Sequence, residues 1–325
     1  MTQVPAAAPR VGVVGLGPWG RNLVRVFAQA GDLVACANRG DPAARAWLGA
    51  AHPGVRLAAS AEALIGDPEV DAVVIATPPA THAELAAAAL RAGKHVFVEK
   101  PLATDAETAV RLVGAARDAG LRLFVGHTFL YHPAFTAMAR ELAGDPVREV
   151  RFHWSKWGTF ESALVWNLFP HPVSLALGLF GRAPDEVEVL AGGGGPTPRD
   201  YLSVRLGFAG GGTAVLTVDR AAPVRGLALT AVAGSGRVLA WHGEFLYDWR
   251  PGAGGAPAAV ALPGGEPLLR QARAFLDSLA PGAHDPGADR LDAAIVAVLA
   301  RIAGAHGAPR PAPPAGRAFS LGQEA

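Results

Sequence analysis

The sequence lacks several features that would each mark a class of protein. It contains one cysteine, Cys36, which excludes an intramolecular disulfide framework and fits a reducing compartment. No apolar run reaches the roughly 18 residues that could span a bilayer, and the start, MTQVPAAAPR, lacks the regions of a signal peptide. We therefore expect a cytoplasmic protein with an untargeted tail over residues 1–10.

Charge and side-chain chemistry exclude further classes. The 29 Lys and Arg residues nearly balance the 28 Asp and Glu residues, and no basic run suggests a nucleic acid or a membrane as partner. No G-x-S-x-G nucleophile elbow occurs, and His127 and His132 lack a third ligand at a useful spacing, so we expect no metal site. The partner that we expect is a small-molecule substrate.

The chain has ample material for buried cores, and its first part alternates strands with helices. Half of the residues are hydrophobic and 18% are charged. Apolar runs predict strands at 10–14, 33–37, 72–76, 95–99 and 121–125, with helices between them at 19–30, 43–50, 84–92 and 106–119. This alternation predicts an α/β fold whose residues 11–125 form a Rossmann domain, a doubly wound parallel sheet that binds a dinucleotide.

The pattern changes after residue 126, where strands follow one another. We predict strands at 147–157, 186–190, 202–208, 213–219, 227–233 and 238–242, one early helix at 172–180, and closing helices at 268–279 and 288–303. The Gly- and Pro-rich tract at 251–265 reads as loop, and residues from 307 onward as an extended surface segment. Residues 126–325 are thus predicted to form an α+β domain with a large, mostly antiparallel open sheet.

A glycine-rich loop follows the first strand and opens the first helix. Its pattern is Gly15-x-Gly17-x-x-Gly20, in which the glycines allow a tight turn, close approach of a pyrophosphate, and packing of helix on strand. The alternative is a purely structural glycine turn. We expect the whole loop to bind the cofactor: Gly15, Leu16, Gly17, Pro18, Trp19 and Gly20.

The end of the second strand bears on the choice of cofactor. An acidic residue there would accept bonds from the ribose hydroxyls of NAD, but the sequence has Asn38 and Arg39. A neutral side chain followed by a guanidinium suits a 2′-phosphate, so NADP(H) is preferred. NAD(H) stays open because Asp41 could fold back toward the ribose, and Arg39 could be an ordinary loop charge.

A lysine stands where the fourth strand of the predicted parallel sheet ends, in Glu99-Lys100-Pro101. Ligands of open α/β sheets bind at the carboxyl ends of strands, so Lys100 is expected to point into the cofactor crevice. An ammonium there can donate a proton to a substrate oxygen as hydride moves. The alternative is a surface Lys–Glu pair. The peptide before Pro101 could also be cis.

Four motifs in this order resemble the glucose–fructose oxidoreductase / inositol dehydrogenase (Gfo/Idh/MocA) superfamily. They are the glycine-rich loop, Ala76-Thr-Pro-Pro-Ala-Thr-His82, Ala92-Gly-Lys-His-Val-Phe-Val-Glu-Lys-Pro101 and Gly126-His-Thr-Phe-Leu-Tyr-His-Pro133. The resemblance implies a Rossmann domain followed by an α/β domain whose open sheet often serves oligomerisation. It therefore implies a homo-oligomer, a dimer or tetramer, that transfers hydride between a nicotinamide and a carbinol or carbonyl.

The resemblance also implies roles for individual residues. Those expected along the cofactor, or beside its nicotinamide ribose, are Thr77, Pro78, His82, Glu99 and Lys100. Lys100 would also touch the substrate, with His127 and Tyr131 at the floor and rim of its pocket. Each has a structural alternative: His82 could cap a helix, and His127 could be a core histidine.

Relatives of this kind carry Asp-x-x-x-His before a helix of the second domain, whereas this chain reads Trp166-Asn167-Leu-Phe-Pro-His171-Pro172. Asn167 can hydrogen-bond the His171 ring but cannot offset a charge on it. Pro172 suits the first turn of a helix, whose positive end disfavours imidazolium. We therefore predict a neutral His171 that binds substrate together with Asn167, and Lys100 as the main proton donor.

Aromatic and aliphatic side chains around this motif suggest a substrate less polar than a free polyol. They are Trp154, Trp157, Trp166, Leu168 and Phe169, of which at least one tryptophan is expected to be sheet packing.

Three functions fit the sequence. The first is an NADP(H)-dependent oxidoreductase that acts on a carbonyl or carbinol of a sugar, nucleotide sugar or biosynthetic intermediate. The second is a non-redox enzyme on the same fold that catalyses elimination, hydrolysis or cyclisation, which the altered Asn167–His171 pair would favour. The third is a non-catalytic NADP-binding regulatory protein, against which the presence of Lys100 argues.

Overall fold

Two β-sheets organise the chain. The computed structural model describes residues 8–158, 163–193, 200–252, 255–280, 282–283, 286–308 and 311. Most of the N-terminal tail and most of the segment after residue 307 therefore lie outside the described residues. No helix in the described part of the chain is long and apolar enough to cross a membrane.

The first sheet has the strand order of a Rossmann domain. Its strands are β1 (Arg10–Val14), β2 (Asp32–Ala37), β3 (Arg56–Ala58), β4 (Ala72–Ile75), β5 (His95–Glu99) and β6 (Leu123–Gly126). They pair in parallel in the order β3-β2-β1-β4-β5-β6. The predicted doubly wound parallel sheet is confirmed. Strand β3 was not predicted, because three residues with one arginine give no periodic signal.

Five helices flank this sheet: α1 (Pro18–Ala30), α2 (Pro42–Ala51), α3 (Ala61–Ile65), α4 (His82–Arg91) and α5 (Ala106–Asp118). Asp41, Ser60 and Asp105 cap α2, α3 and α5 by accepting backbone N–H groups of the first turn. Helix α1 has no such side-chain cap, because Gly17 occupies the capping position. Its first N–H groups are therefore left for a ligand.

The second sheet has eight strands: β7 (Val147–Ser155), β8 (Glu186–Gly193), β9 (Tyr201–Phe208), β10 (Gly212–Asp219), β11 (Gly226–Ala233), β12 (Val238–His242), β13 (Phe245–Trp249) and β14 (Ala258–Ala259). Their order is β14-β13-β12-β11-β7-β10-β9-β8, and every pair is antiparallel except β7 with β10. The predicted large, mostly antiparallel sheet is confirmed. Strands β13 and β14 were missed, and β14 lies inside the tract expected to be loop.

One face of the second sheet packs against helices α6 (Pro133–Glu141), α7 (Leu164–Asn167) and α8 (Pro170–Phe180). On β10 the alternate residues Ala214, Leu216 and Val218 are buried in that core, while Thr213 and Val215 on the opposite face are partly exposed. Because successive side chains of a strand point to opposite faces of the sheet, one set faces the helices and the other set lies on an open face.

Two boundaries near the candidate site differ from the prediction. Helix α8 begins at Pro170 and not at 172, because a proline is also tolerated at the first helical position. His171 therefore lies inside the first turn of the helix. Strand β7 ends at Ser155, so Lys156 and Trp157 lie beyond it. The left-handed Gly181 ends α8, as predicted.

The last two helices, α9 (Pro267–Asp277) and α10 (Pro286–His306), return to the first sheet. Phe275 of α9 lies 6.0 Å from Phe27 and 5.6 Å from Phe97, ring centroid to centroid. Helix α10 contacts both α5 and α8, and its Asp289 pairs with buried Arg122 at 2.9 Å. The predicted domain boundary at residue 125 thus stays a prediction. Helix α9 comes after that boundary in the sequence but packs against α1 of the first part of the chain.

Candidate active site

The glycine-rich loop has the geometry expected of a pyrophosphate cradle. Gly15 has φ 102°, and a Cβ there would lie 2.6 Å from the carbonyl oxygen of Ala76. A Cβ on Gly20 would lie 2.0 Å from the carbonyl oxygen of Gly15, so α1 can approach only if that residue is glycine. A Cβ on Gly17 would meet nothing within 4 Å, because the space above it is open. A dinucleotide fits this loop.

A cavity of about 710 Å³ lies over the loop and the ends of β1, β2 and β4. Its lining includes every residue of the predicted loop together with Asn38, Arg39, Ser60, Thr77 and Pro78. The buried amide nitrogen of Asn38 has no hydrogen-bond partner in the protein, so it is a donor that a bound cofactor can satisfy. The carboxylate of Asp41 instead caps α2 by accepting the N–H of Ala43 at 2.9 Å.

His82 is not among the residues that line this cavity. It is fully buried, with Nδ1 2.8 Å from the carbonyl oxygen of Pro101 and Nε2 2.7 Å from that of Thr77. Burial lowers the pKa of His82, and the two carbonyls oppose that shift. The prediction that His82 lines the cofactor is therefore corrected: it ties the Thr77 turn to the Lys100–Pro101 turn. It makes no side-chain cap to α4 either.

Glu99 is buried at the end of β5 and contacts the glycine-rich loop through Trp19. The indole of Trp19 hydrogen-bonds the carboxyl group, while Oε1 of Glu99 has no partner. Burial raises the pKa of Glu99, and neighbouring Lys100 opposes the rise. The two predicted cofactor residues Trp19 and Glu99 thus contact each other, and Trp19 also lines the cavity.

Lys100 connects the end of β5 with helix α7. The Lys100–Pro101 peptide is cis, and Nζ donates to the backbone oxygen of Asn167 at 2.8 Å and to its Oδ1 at 3.2 Å. Burial lowers the pKa of Lys100; Glu99 opposes this effect and Lys156 adds to it. The surface Lys–Glu pair considered from the sequence is not what the structure has, because Glu99 is buried and Lys100 reaches α7.

His171 is held between aromatic rings. Its ring stacks on Phe129 at 4.6 Å and meets Trp154 edge-on at 5.6 Å. Its Nδ1 is buried without a hydrogen-bond partner, so Asn167 does not hold the ring through that atom. Burial, and after it the charge of Lys100, lowers the pKa of His171 well below its usual range. The sequence predicted a neutral ring because of the positive end of the helix. In the structure, the main cause of the lowered pKa is burial.

His127 and Tyr131 each pack against side chains of the protein. His127 is buried, with Nε2 3.5 Å from the carboxylate of Asp292 on α10, while its Nδ1 has no partner. Burial raises the pKa of Asp292, and the bond to His127 opposes that rise. Tyr131 packs against Phe124 at 5.9 Å, and burial raises its pKa. The core alternative for His127 describes this geometry better than contact with substrate does.

The apolar neighbours of His171 divide into two groups. Trp166, Leu168 and Phe169 are at most 3% exposed and belong to the core of the second domain, because α7 and α8 turn them toward the sheet. The prediction that these three side chains make the substrate site less polar is therefore wrong, because they face the core. Trp154 packs on His171, whereas Trp157 is 62% exposed.

Lys156 was missed from the sequence. It follows β7, and its ammonium lies 5.5 Å from the centre of the Trp154 ring. Its charge lowers the pKa of both Lys100 and His171, which places the three groups in one electrostatic environment. A lysine flanked by tryptophans in a strand pattern gives no period or spacing signal, so only the pairing of strands could reveal it. In the described residues, no cluster of His, Cys, Asp or Glu could hold a metal ion.

Comparisons with known proteins agree with this architecture. Residues 9–127 match the model of the GFO_IDH_MocA oxidoreductase family with an NAD-binding Rossmann fold. UDP-N-acetylglucosamine 3-dehydrogenase of Acidithiobacillus ferrooxidans is 33% identical over 56% of this chain and 57% of its own length. Inositol 2-dehydrogenase 2 of Saccharopolyspora erythraea is 35% identical over 53% and 54%. The matches thus span about half the length of these curated relatives.

Solved structures resemble almost the whole chain. The A. ferrooxidans UDP-N-acetylglucosamine 3-dehydrogenase superposes with a TM-score of 0.83 at 25% identity, over 92% of this chain and 97% of that one. Biliverdin reductase of Synechocystis with NADP⁺ gives 0.74 at 26%, over 90% and 98%. GenD2 from gentamicin A biosynthesis with NAD gives 0.76 at 25%, over 93% and 95%. Both cofactors thus occur among the neighbours. Residues 9–127, the Rossmann part of this chain, are thus similar to the GFO_IDH_MocA family of oxidoreductases.

Proposed function

We propose that the protein is an NADP(H)-dependent oxidoreductase that reduces a carbonyl of a sugar, nucleotide sugar or biosynthetic intermediate. The observation that carries this proposal is the position of the Lys100 ammonium, at the carboxyl end of β5 between the cofactor cavity and α7. A bound nicotinamide supplies the hydride, and the chain's own residues handle the proton.

Lys100 is the proton donor in this proposal. Its bonds to Asn167 orient Nζ, and burial lowers its pKa, which makes the ammonium a better acid. His171 is a neutral group with a fixed ring plane, since Phe129 stacks on it and Trp154 closes one edge. Such a ring can share a hydrogen bond with a substrate hydroxyl, but it is a poor proton source.

The preference for NADP(H) rests on the end of β2. Arg39 lines the cavity, Asn38 offers a buried unpaired amide, and Asp41 is engaged as the cap of α2. No carboxylate of that loop is then available to the ribose, while a guanidinium suits a 2′-phosphate. Titrating the protein with NADPH and NADH, and following quenching of its fluorescence, tests this preference. Equal affinities would argue against it.

The test of the activity is a screen of keto-sugars, nucleotide keto-sugars and simple ketones, with NADPH oxidation followed by absorbance. Lys100→Met is expected to lower kcat by about 10²- to 10⁴-fold while NADPH still binds. An unchanged kcat would remove Lys100 from the reaction.

A second candidate is a non-redox enzyme that keeps the nucleotide bound. It is favoured by Asn167 standing where relatives of this type carry aspartate, and by the lowered pKa of His171. Product formation without net NADPH oxidation would favour this candidate. If the Lys100→Met variant retained full biological activity, a non-catalytic NADP-binding protein would be favoured instead.

We also propose a homo-oligomer, a dimer or tetramer, formed through the open face of the second sheet. Strand β13 carries Phe245, Tyr247 and Trp249 on alternate positions, and they are 60, 37 and 39% exposed. A second copy presents the same aromatic row, which makes the surface self-complementary. Light scattering is expected to show a dimer or tetramer that Tyr247→Lys weakens.

A cytoplasmic location fits the single buried thiol, Cys36.

A further inference from the structure

Lysine is rare in this chain, and its placement is informative. The sequence has three lysines, Lys94, Lys100 and Lys156, so nearly all of its 29 basic residues are arginine. Two of the three lie in the candidate active site. Lys100 already has a role in the proposed function, whereas Lys156 has none.

Lys156 is fixed in position by its neighbours on the sheet. Its N–H donates to the carbonyl oxygen of Asp219 at 2.8 Å, which extends the β7–β10 pairing by one residue. Its ammonium lies 5.5 Å from the centre of the Trp154 ring, and the same ring meets His171 edge-on at 5.6 Å. The ammonium and the His171 ring therefore share one indole.

The positive charge of Lys156 is not balanced by the described residues around it. No described carboxylate lies within 4.0 Å of its ammonium. The carboxylate of Asp219 accepts the N–H of Ala221 at 2.9 Å, and that of Asp200 pairs with Arg220 at 2.7 Å.

A second cation lies beside it. Gly226 of β11 pairs with Ser155 of β7 in antiparallel register, so the preceding residue, Arg225, comes next to Lys156. Burial lowers the pKa of Lys156, and the charge of Arg225 lowers it further. Lys100 is the third cation of this group, and its pKa is in turn lowered by Lys156. Repulsion among three cations is relieved when an anion binds between them.

We propose that Lys156 and Arg225 form an anion subsite at the carboxyl end of β7, and that the substrate carries a phosphate or diphosphate group there. This inference rests on the proposed function, because it places the group beside the carbonyl that Lys100 protonates. A phosphoryl group accepts charge-assisted hydrogen bonds from both side chains, which a neutral substrate cannot do to the same extent.

The test uses full-length protein saturated with NADPH, so that the cofactor site is occupied, and inorganic diphosphate as the calorimetric probe. Lys156→Met is expected to weaken diphosphate binding by about 10-fold or more, since bonds to charged groups contribute about 1.5–3 kcal/mol. Lys156→Arg keeps the charge and is expected to retain binding. Arg225→Gln should lose less, because Arg225 is exposed. Arg205→Gln is the control, because Arg205 pairs with Glu188 on another strand.

Each outcome bears on one claim. Binding of NADPH to the wild-type protein is measured before diphosphate is added. If NADPH does not bind, the proposed function is refuted. With NADPH bound, the subsite is refuted if diphosphate does not bind, or binds wild type and Lys156→Met equally. In the reductase assay, Lys156→Met is expected to raise KM for a phosphorylated carbonyl substrate but not for its unphosphorylated counterpart. Equal effects on both would also overturn the inference.

Discussion

Replacing Asn167 by aspartate adds a negative charge next to the proposed proton donor. Oδ1 of Asn167 accepts a bond from Lys100 Nζ at 3.2 Å, so the carboxylate of Asn167→Asp occupies nearly the same place. At that distance, two unit charges attract by about 1 kcal/mol in a water-like dielectric and about 5 kcal/mol at an effective dielectric constant of 20. The half-buried position of Lys100 lies between these limits.

The direction of the pH effect follows from the role of Lys100. Proton donation needs the ammonium, so carbonyl reduction is present below the pKa of Lys100 and is lost as pH rises through it. Burial lowers that pKa, which brings the loss to a lower pH than for an exposed lysine. The new carboxylate stabilises the ammonium and is expected to move the alkaline limb upward by about one to three pH units.

Two measurements check this expectation. The first is the pH dependence of kcat/KM for NADPH-dependent reduction by wild type and Asn167→Asp. The second is NMR titration of protein whose lysines carry isotope-labelled methyl groups, in which only three lysine signals occur. Lys94 is the internal control, because its ammonium bonds the carbonyls of Asp67 and Val70 far from the site. An alkaline limb that stays in place, or moves down, would refute Lys100 as the titrating donor.

Three other substitutions probe the cofactor site and the core. Arg39→Ser is expected to weaken NADPH binding by about 10- to 100-fold while NADH binding changes little; parallel losses for both would contradict the assignment. Gly20→Ala places a methyl group 2.0 Å from a carbonyl oxygen of the loop, so cofactor binding and thermal stability should both fall; a wild-type melting temperature and affinity would be inconsistent with the close packing. Arg220→Met removes the ion-pair partner of buried Asp200 and should reduce the free energy of unfolding in urea by about 3–5 kcal/mol, against about 1 kcal/mol or less for the exposed Arg205→Met. Similar losses for both variants would show that burial does not set the difference.

The Rossmann half of the fold follows from local patterns. The glycine spacing, the apolar strands and the helices between them are short-range features, and the structure places each predicted strand of that half within one or two residues. The features missed there, β3 and α3, are three and five residues long. Such segments depend on pairing and packing for their stability and carry no periodic signal of their own.

The candidate site was predictable in part. Gly15, Gly17, Asn38 and Arg39 line one cavity, because a strand-to-helix turn determines where its own residues lie, and their binding of a cofactor stays a prediction. His82 does not line that cavity. Its contact with Pro101 depends on how the turns after two different strands approach each other, which the sequence does not show.

In the second half of the chain, the contacts of the candidate site residues could not be predicted from the sequence. The letters Asn167 and His171 suggested a hydrogen-bonded pair, but in the structure Asn167 bonds Lys100 while His171 packs between Phe129 and Trp154. Those contacts depend on how β5, α7, α8 and β7 pack against one another, which no local sequence pattern shows.

By itself, the sequence determined that this chain has a nucleotide-binding Rossmann domain, a lysine at the end of β5, and an open antiparallel sheet after it. These properties depend on neighbouring residues and on the period of each element. Only the tertiary structure decided which charges meet. It brought Arg225 next to Lys156 at one end of the second sheet, and placed the charge of Lys156 where it lowers the pKa of Lys100 at the end of β5 in the first sheet. Strand register and burial, and not spacing along the chain, set these interactions between ionisable groups.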